Sequence, residues 1–569
     1  MSNKDLCDII SNKSSDEFYS PIPKGYKSGK TKYIVITGSV ISGLGKGIFT
    51  SSLGKLLIDR GIKVAPIKLE AYLNVDSGTL NPFRHGEVFV LDDGFECDMD
   101  LGSYERFMDM NLTNESFVTS GRIYQRIIEK ERKGEYLGRD VQFIPHVTGE
   151  AKKVLRELAV KSNADVILVE IGGTVGDYEN MFFLEAIRQL RYEEGEENVA
   201  VINLTYILEP RSVGEFKSKA AQLGIKRLIE LGLQPDIIVC RSQNKIPQSI
   251  KEKISISSNV PIERVFGSHD VENIYEAPLF LRTLNADEII LEKLKLNKKF
   301  RLTNSKKLIE WTKKNMVKSD KSITVGIAGK YTGLADSYIS ILKALEHCSV
   351  AINRNIKVKW IETTAIEKGT SKTENELKEI DGLIVPGGFG ARGTEGKIKC
   401  IKYAREKKIP FLGLCYGMQM AVIEFARNKC GLKEADSTEV NSKAKNPVIK
   451  ILDEQEDIEG LGGTLRLGGY DLLVEKNSLA FKLYEKTKIH ERFRHRFNVN
   501  PKYIELLEKK GIIFSGKAPK KRIMQIMELK NHPFFLGTQF HPEFTSRPLT
   551  PNPLFLGFTE ACKKKKEGK

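Results

Sequence analysis

Short apolar runs alternate along the chain with segments whose apolar residues recur at helical spacing. Tyr33–Thr37 is the first β-rich run, and helical spacing follows it as far as Gly61. A second series starts at Ile323–Lys330 and continues through Gly382–Val385 and Ile409–Leu414. Apolar runs of this kind are typical of strands buried on both faces. The pattern therefore predicts the α/β class, with parallel sheets covered by helices.

The domain organisation follows from length and from a shift in composition. The 569 residues are enough for two or more domains with full-sized cores. Between Leu291 and Lys321 the chain becomes lysine-rich, and Leu308, Ile309 and Trp311 predict one short helix there. We expect a polar tail at 1–30, a first domain at 31–297, a basic linker at 298–321, a second domain at 322–560 and a lysine-rich tail at 561–569.

The formal net charge of +16 makes nucleic-acid binding a hypothesis to be tested. Much of the excess lies in Lys293–Lys321 and in Lys563–Lys566, and no aromatic residue interleaves with the terminal run. Aromatic side chains are the usual stacking platform for single strands. We therefore expect a solvated linker and tail, and no nucleic-acid partner.

The number and spacing of the cysteines and the composition of the first 30 residues indicate the cellular compartment. Eight cysteines are spread over the chain without a Cys-x-x-Cys pair, which indicates neither a disulfide framework nor a zinc site. No apolar run approaches the roughly 20 residues that cross a bilayer. The first 30 residues contain four acidic side chains and no arginine, unlike a secretory signal or a transit peptide. We expect a cytoplasmic protein without a membrane partner.

Cys415 is the strongest candidate for chemistry. Ile409–Leu414 is predicted to be a strand and Met420–Ala426 a helix, and Gly413 and Gly417 flank the cysteine between them. Glycines at these positions allow the sharp turn of a nucleophile elbow. Such a turn presents the thiol at a helix N-terminus, where backbone amides favour the thiolate.

A base for this thiol lies far downstream. In an extended segment His541 and Glu543 point to the same face, so the carboxylate can orient the imidazole. An isolated cysteine is more often a buried structural thiol, but the elbow and the His-x-Glu spacing together predict a triad of Cys415, His541 and Glu543. The loop after Gly382–Val385 can direct amides at an oxyanion, and we assign that role to Gly388 with the amide of Tyr416.

A phosphate cradle is predicted near the start of the folded chain. The glycine-rich segment Gly38–Gly47 lies between a strand and a helix, so its amides can converge on phosphate oxygens while Lys46 adds a charge. The match to a standard P-loop is imperfect, because Gly47 stands where Ser or Thr would bind magnesium. Metal ligands should therefore come from elsewhere.

Two acidic positions are candidate Mg²⁺ ligands. Asp98 and Asp100 lie on one side of an extended segment, and Glu170 ends the apolar run that begins at Asp165. Nucleotides and metals gather at the carboxyl ends of strands in open α/β sheets. We predict Asp100 and Glu170 as magnesium ligands. The alternative is a solvated Asp cluster and an ordinary strand end.

Several of these stretches resemble the CTP synthase family, over about Tyr33 to Phe558. The motifs that carry the resemblance are Thr37–Gly47, His85–Val90, Leu101–Phe107, Glu170–Asp177, Cys240–Ser242 and the two cysteine and histidine motifs above. It implies a P-loop-like, dethiobiotin-synthetase-like amidoligase domain fused to a class I glutamine amidotransferase domain. In this family ATP phosphorylates the 4-oxygen of UTP, and ammonia from glutamine displaces the phosphate.

The resemblance also implies binding residues. For ATP these are Gly43, Leu44, Gly45, Lys46, Gly47, Ile48, Lys68, Asp100, Asp270 and Val271. For UTP or CTP they are Ser42, Asp177, Tyr178, Glu179, Lys217, Ser218, Lys219, Gln222 and Lys253. For glutamine they are Gly388, Tyr416, Gly417, Met418, Gln419, Glu439 and Arg496. Arg392 and Gly462–Arg466 resemble the region through which GTP activates the family, and a homotetramer, with filaments, is the implied assembly.

The chain departs from the family pattern in places. Lys217–Gln222 reads Lys-Ser-Lys-Ala-Ala-Gln where the family has Lys-Thr-Lys-Pro-Thr-Gln, and Glu70 and Ala71 replace Asp-Pro after Lys68. Two alternatives to a CTP synthase follow. One is a divergent paralogue that aminates another uridine nucleotide. The other is a non-catalytic scaffold that forms filaments, against which the intact triad argues.

Overall fold

The computed structural model describes residues 21–210, 214–300, 306–452, 466–519 and 522–568. They form two compact units: residues up to Thr79 with Ser103–Lys313, and Leu80–Gly102 with Lys314–Lys569. Of the predicted tail at 1–30, residues 1–20 lie outside the described residues. The predicted domains at 31–297 and 322–560 differ from these units mainly at residues 80–102.

The first unit is built on a parallel sheet of seven strands within the described residues. The strands are β1 (Lys32–Gly38), β2 (Val64–Glu70), β3 (Phe117–Thr119), β4 (Val166–Ile171), β5 (Val199–Tyr206), β6 (Ile237–Ser242) and β7 (Val265–His269). Their spatial order is β3-β2-β4-β1-β5-β6-β7. The central strands are almost fully buried, as their unbroken apolar runs predict.

Helices lie between these strands and follow the last of them. They are α1 (Lys46–Asp59), α2 (Asp100–Met108), α3 (Ser120–Arg132), α4 (Thr148–Ser162), α5 (Met181–Glu194), α6 (Lys219–Glu230), α7 (Gln248–Ser258), α8 (Ala277–Thr283), α9 (Ala286–Lys293) and α10 (Lys306–Lys314). The predicted fold class, α/β with a parallel sheet in the N-terminal part, is confirmed.

Helix α10 is the short helix predicted around Trp311, and it packs on the first unit. The Trp311 ring lies 5.7 Å from that of Tyr275 and 6.1 Å from that of Phe107, measured between centroids. The Lys55 ammonium lies 4.9 Å from the centre of the same ring. This part of the predicted linker is therefore a docked element rather than a solvated one, because Trp311 has large apolar area to bury.

The second unit contains a mixed sheet of nine strands within the described residues. Its strands and those of a small second sheet are β8 (Ser322–Gly329), β9 (Asn355–Glu362), β10 (Gly382–Val385), β11 (Phe411–Leu414), β12 (Ala435–Ser437), β13 (Asn446–Lys450), β14 (Arg466–Val474), β15 (Lys488–His495), β16 (Asn498–Val499), β17 (Ile512–Lys517), β18 (Met524–Leu529) and β19 (Phe535–Thr538). The large sheet runs β9-β8-β10-β11-β19-β18-β17-β14-β15, and its first five strands are parallel.

Helices cover this sheet. They are α11 (Ile339–Ile352), α12 (Thr363–Glu367), α13 (Thr373–Leu377), α14 (Thr394–Glu406), α15 (Tyr416–Asn428), α16 (Leu479–Tyr484), α17 (Ile504–Lys509) and α18 (Pro553–Lys566). Strand β11 leads directly into α15, and strand β10 leads into the loop before α14. The carboxyl ends of β10 and β11 are neighbours in the sheet, which brings the predicted oxyanion loop next to the cysteine elbow.

Residues 80–102 pack with the second unit through polar contacts. The backbone N–H of Ser340 donates to Glu87 at 3.1 Å, and that of Gly469 donates to the carbonyl of Asp92 at 2.7 Å. The Arg492 guanidinium donates to the carbonyl of Val90 at 3.2 Å. A short one-turn helix, Pro82–His85, and a two-stranded ribbon complete the segment.

The C-terminal lysines belong to helix α18 rather than to a separate tail. Lys563 donates to the carbonyl of Ile352 at 3.1 Å, and Lys565 donates to that of Ile380 at 2.9 Å. Their positive charge also suits the negative end of the helix dipole. Throughout the described part of the chain, every helix is too short or too polar to span a bilayer.

Candidate active sites

The cysteine elbow is a strained turn between β11 and α15. Cys415 has φ 49° and ψ −99°, a backbone conformation that residues other than glycine rarely adopt. A Cβ on Gly417 would lie 2.0 Å from the carbonyl oxygen of Val385, and one on Gly413 would lie 2.9 Å from Gly417. Only glycine fits at these two positions. Strain of this kind is typically found where a structure must hold a reacting group.

The predicted base and its orienting carboxylate form a buried pair. His541 Nδ1 lies 2.7 Å from Glu543 Oε1, and the imidazole stacks on Phe544 with a centroid distance of 5.0 Å. A Cβ on Gly387 would lie 2.9 Å from His541 Cε1 and 3.8 Å from the Cβ of Cys415. Histidine and cysteine therefore flank the same glycine, which brings the three predicted triad residues together.

The electrostatics of this pair favour a charged imidazole. Burial lowers the pKa of His541, but the carboxylate of Glu543 and the sulfur of Cys415 outweigh burial and raise the pKa to about 10. An imidazolium at neutral pH is the partner that a cysteine thiolate requires.

The loop Pro386–Gly390 is fixed by side chains from three other elements. Gly390 N–H donates to Glu439 Oε1 at 2.7 Å, and the Tyr416 hydroxyl donates to the Gly390 carbonyl at 3.0 Å. Lys330, at the end of β8, donates to the carbonyl of Phe389. Gly388, the predicted oxyanion residue, lies at the centre of this braced loop.

The residues predicted to bind the substrate glutamine lie around the same turn. Gln419 donates to the carbonyl of Phe497 at 3.0 Å, and Gln539 Nε2 lies 3.6 Å from the sulfur of Cys415. Burial raises the pKa of Glu439, while the Gly390 N–H, Lys330 and Arg496 oppose that rise. Arg496 and Glu439 thus lie close enough to interact electrostatically. Gly417 and Met418 form the first turn of α15.

The phosphate loop of the first unit has the conformation that its glycines allow. Gly43 and Gly45 have φ of 70° and 79°, and Lys46 begins α1. The Lys46 ammonium donates to the carbonyl of Gly173 at 2.6 Å, so it lies beside the predicted segment Glu170–Asp177. Leu44, Gly47 and Ile48 complete the turn into the helix.

A cluster of charged side chains lies at the carboxyl ends of β2 and β4. Lys68 Nζ is 3.0 Å from Glu70 Oε1 and 4.0 Å from Glu170 Oε1. Glu170, which is 1% exposed, accepts hydrogen bonds from Thr50 at 3.1 Å and from Tyr104 at 2.5 Å. Glu70, one of the departures from the family pattern, is thus a direct partner of Lys68.

The predicted magnesium ligands are two carboxylates, those of Glu170 and Asp100. Among the described residues there is no group of three or more His, Cys, Asp or Glu side chains that could hold a metal. Mg²⁺ is usually held by one or two carboxylates together with water and phosphate oxygens. Asp100 begins α2 and its N–H donates to Asp98 Oδ1 at 2.9 Å, so these two acids lie at a helix start rather than in the predicted extended segment.

The predicted pyrimidine-nucleotide residues lie on loops and helices of the first unit. Asp177 accepts the N–H of Thr174 at 2.7 Å, and Tyr178 is 89% exposed. Lys217 lies 2.7 Å from Glu215, and Gln222 donates to Ser218 at 3.1 Å. The other predicted residues are Ser42 in the phosphate loop, Glu179 beside Tyr178, Lys219 at the start of α6, and Lys253 within α7.

Arg241 links two parts of the predicted ATP site, and it was not among the predicted site residues. Its guanidinium donates to the carbonyl of Leu44 at 3.2 Å and to Asp270 at 2.7 Å. Val271 follows Asp270 directly. The arginine lies at the carboxyl end of β6, a position that favours ligand contact.

Comparisons with known proteins cover both units. The family described as "CTP synthase N-terminus" matches residues 32–296, and "Glutamine amidotransferase class-I" matches residues 333–561. The CTP synthase of Thermococcus kodakarensis is 50% identical over 543 residues, which are 95% of this chain and 100% of that protein. That of Caldanaerobacter subterraneus is 49% identical over 535 residues, 93% of this chain and 98% of that protein. The chain belongs to the CTP synthase family.

A solved structure is similar to the second part of the chain. It is the glutaminase domain of Trypanosoma brucei CTPS with bound acivicin, at 35% identity, covering 43% of this chain and 94% of that one with a TM-score of 0.41. The CTP synthase N-terminal match spans all seven strands of the first sheet, and the amidotransferase match spans the elbow, the braced loop and the His541–Glu543 pair. The predicted family is confirmed. The individual site residues remain predictions.

Proposed function

We propose that this chain catalyses the glutamine-dependent synthesis of CTP. The carrying observation is the strained Cys415 elbow with its buried His541–Glu543 pair, in a chain that matches CTP synthases over 95% of its length. ATP phosphorylates the 4-oxygen of UTP, and ammonia released from glutamine displaces that phosphate. The products are CTP, ADP, phosphate and glutamate, which makes the chain a glutamine-dependent ligase.

The cysteine provides covalent catalysis in the ammonia-producing half. The Cys415 thiolate attacks the side-chain carbonyl carbon of glutamine, and the His541 imidazolium gives its proton to the departing ammonia. The neutral imidazole then takes a proton from water, which hydrolyses the thioester to glutamate. The N–H groups of Gly388 and Tyr416 stabilise the oxyanion in both steps.

Residues around the elbow hold the substrate. Arg496 is suited to bind the α-carboxylate of glutamine as a bidentate donor. Glu439 suits the α-ammonium group, because its half-buried carboxylate lies beside the loop and accepts the N–H of Gly390. Gln419, Gly417 and Met418 line the first turn of α15 and position the side-chain amide.

Charge neutralisation is the main requirement in the synthetase half. Phosphoryl transfer needs positioned positive charge around the phosphate oxygens. Lys46 and Lys68 supply it from the phosphate loop and from the end of β2. When bound, Mg²⁺ would neutralise further phosphate charge, and Asp100 and Glu170 would hold it. Glu170 fits that role, because it is a buried carboxylate beside Lys68.

The pyrimidine nucleotide is proposed to bind through a second set of positive charges. The segment Lys217–Gln222 lacks the Pro and the second Thr of the family pattern but keeps both of its lysines. Together with Lys253, these lysines can neutralise the charge of a triphosphate. Ser42, Asp177, Tyr178, Glu179, Ser218 and Gln222 would contact the base and ribose.

The proposals for regulation, assembly and cellular location rest on membership of the CTP synthase family. Arg392 and the segment Gly462–Arg466 are proposed to mediate activation by GTP; residues 462–465 lie outside the described residues. A homotetramer in the cytoplasm is the proposed state, with filaments as a further assembly. A paralogue that aminates another uridine nucleotide, or a scaffold, is not favoured, because relatives of about 50% identity are CTP synthases.

A substitution of Cys415 tests whether glutamine hydrolysis and CTP formation take place at separate sites. Cys415→Ala should abolish CTP formation from glutamine and leave CTP formation from added ammonium within about twofold of wild type, because only the glutaminase chemistry needs the thiolate. CTP formation is measured by absorbance with each nitrogen source in turn. Loss of both activities in a folded variant would refute the assignment.

A further inference from the structure

Lys397 is a buried lysine that the proposed mechanism does not use. It lies in the first turn of α14 and is 1% exposed. Lysine is almost never fully buried unless its charge is paired, because desolvating an ammonium group is costly. A lysine retained in such a place therefore calls for a physical reason.

The backbone around Lys397 is held in place. Glu367 accepts the N–H groups of Gly393 at 2.8 Å and of Glu395 at 3.0 Å, which fixes the start of α14. Gly396 packs so closely on α12 that a Cβ there would lie 1.9 Å from the carbonyl oxygen of Thr363. The side chain of Lys397 consequently starts from a fixed point and is directed inward.

The ammonium of Lys397 lies beside both proposed oxyanion donors. Its Nζ is 4.8 Å from the ring centroid of Tyr416, the residue after Cys415. The same atom would lie 3.5 Å from a Cβ on Gly388. These are the two residues whose N–H groups are assigned to the oxyanion, although they belong to different elements.

Three charged groups act on this ammonium. Burial and the positive charge of Lys330 lower the pKa of Lys397 to about 7, while the sulfur of Cys415 and the carboxylate of Glu439 oppose that shift. Glu439 already accepts the N–H of Gly390 at 2.7 Å. The positive charge of Lys397 is thus supported by negative charge on the nearby sulfur.

We propose that Lys397 is a positioning residue of the glutaminase reaction. Its ammonium group packs against Tyr416 and Gly388, stabilises the Cys415 thiolate, and favours negative charge on the carbonyl oxygen of glutamine. It acts through these neighbours and not by touching the substrate. The inference rests on the proposed function and adds to it a charge that comes from α14.

The charge can be removed at nearly constant volume by Lys397→Met. The control is Lys402→Met, because Lys402 lies on the same helix and is exposed. Lys397→Arg keeps a positive charge at the same position. Each full-length variant is assayed for glutamine hydrolysis, for ammonium-dependent CTP formation, for the pH dependence of Cys415 alkylation by iodoacetamide, and for its thermal midpoint.

For Lys397→Met we expect kcat/KM for glutamine to fall about 10- to 100-fold, mainly through kcat, as when one stabilising group of an oxyanion is removed. The pH midpoint of alkylation should rise by about one unit. Ammonium-dependent synthesis should be unchanged, and the thermal midpoint equal or higher, because the cost of burying an ammonium group has been removed. Lys397→Arg should recover part of the rate, and Lys402→Met should match wild type.

Two results would overturn the inference. An unchanged alkylation profile and kcat would mean that the charge does not act on the thiolate. A Lys397→Met chain that is destabilised or fails to fold, with both activities reduced together, would mean that Lys397 has a structural role. If the wild-type chain itself hydrolyses no glutamine, the proposed function fails instead, which is a distinguishable outcome.

Discussion

The His541–Glu543 pair couples the chemistry of the cysteine to the stability of the fold. The pKa of His541 in the folded chain is about 10, against an ordinary value of 6.5. A raised pKa means that the folded state holds the proton more tightly than the unfolded one. The stabilisation is therefore complete below pH 6.5 and is lost as the pH rises towards 10.

Glu543→Gln tests this pair directly. Without the carboxylate the pKa of His541 should fall, so the decline in thermal midpoint between pH 6.5 and 10 should be smaller than in wild type. Glutaminase kcat should decrease by about 10²- to 10⁴-fold, because the imidazole loses its orienting group and its charge partner. A wild-type pH profile of kcat in the variant would contradict the assigned triad.

Glu170 gives a second prediction for a single residue, in the synthetase half. Glu170→Gln keeps the size of the side chain and removes its charge, so we expect CTP formation from both glutamine and ammonium to fall by at least about 100-fold. Glutamine hydrolysis should persist. The magnesium concentration needed for half-maximal ATP binding should rise, measured by fluorescence titration, and an unchanged requirement would remove Glu170 from the metal site.

The relation between site residues could be predicted where they are close in the sequence. It could not be predicted where folding brings them together from distant elements. Gly413, Cys415 and Gly417 lie within one turn, and His541 and Glu543 are two positions apart, so spacing alone indicated their relation. Lysine is predominantly a surface residue, so nothing local marks a buried one. The contacts of Lys330 and Lys397 depend on how β8 and α14 pack around the loop after β10.

Among the elements, helix α10 shows how composition can mislead. Its lysines predicted a solvated linker, yet Trp311 is 9% exposed and packs with two aromatic residues of the first unit. Amphipathic helices carry lysine on one face while the other face packs. The short helix itself was predicted correctly from Leu308, Ile309 and Trp311.

Trp311→Ala tests whether this packing stabilises the first unit. Removing the indole should lower the free energy of unfolding by about 3–5 kcal/mol, since a buried Trp is truncated to Ala and leaves a cavity. Urea unfolding followed by circular dichroism measures the change. Lys313→Ala, an exposed position on the same helix, is the control and should change the free energy by less than about 0.5 kcal/mol.

Strand and helix alternation was predictable for both sheets, whereas the grouping of residues 80–102 with the second compact unit was not. Buried apolar runs such as Val166–Ile171 determine their own strands. The segment 80–102 is tied to the second unit by hydrogen bonds from Ser340, Gly469 and Arg492. Such long-range pairing leaves no periodic signal in the sequence.

For the whole molecule, several of the lysines that give the net charge of +16 have contacts within the fold. Lys46, Lys68, Lys330 and Lys397 contribute positive charge at the two candidate sites. Lys563 and Lys565, in the last turn of α18, donate to the backbone carbonyls of Ile352 and Ile380. Contacts within the fold and at the two candidate sites therefore account for part of the excess positive charge.

The proposed activity is tested by measuring CTP formation by the purified chain with UTP, ATP and magnesium. Nitrogen is supplied in parallel as glutamine with GTP or as ammonium. We expect CTP from both sources. Glutamine hydrolysis without CTP from either source would contradict it, because the glutaminase would then serve an acceptor other than UTP.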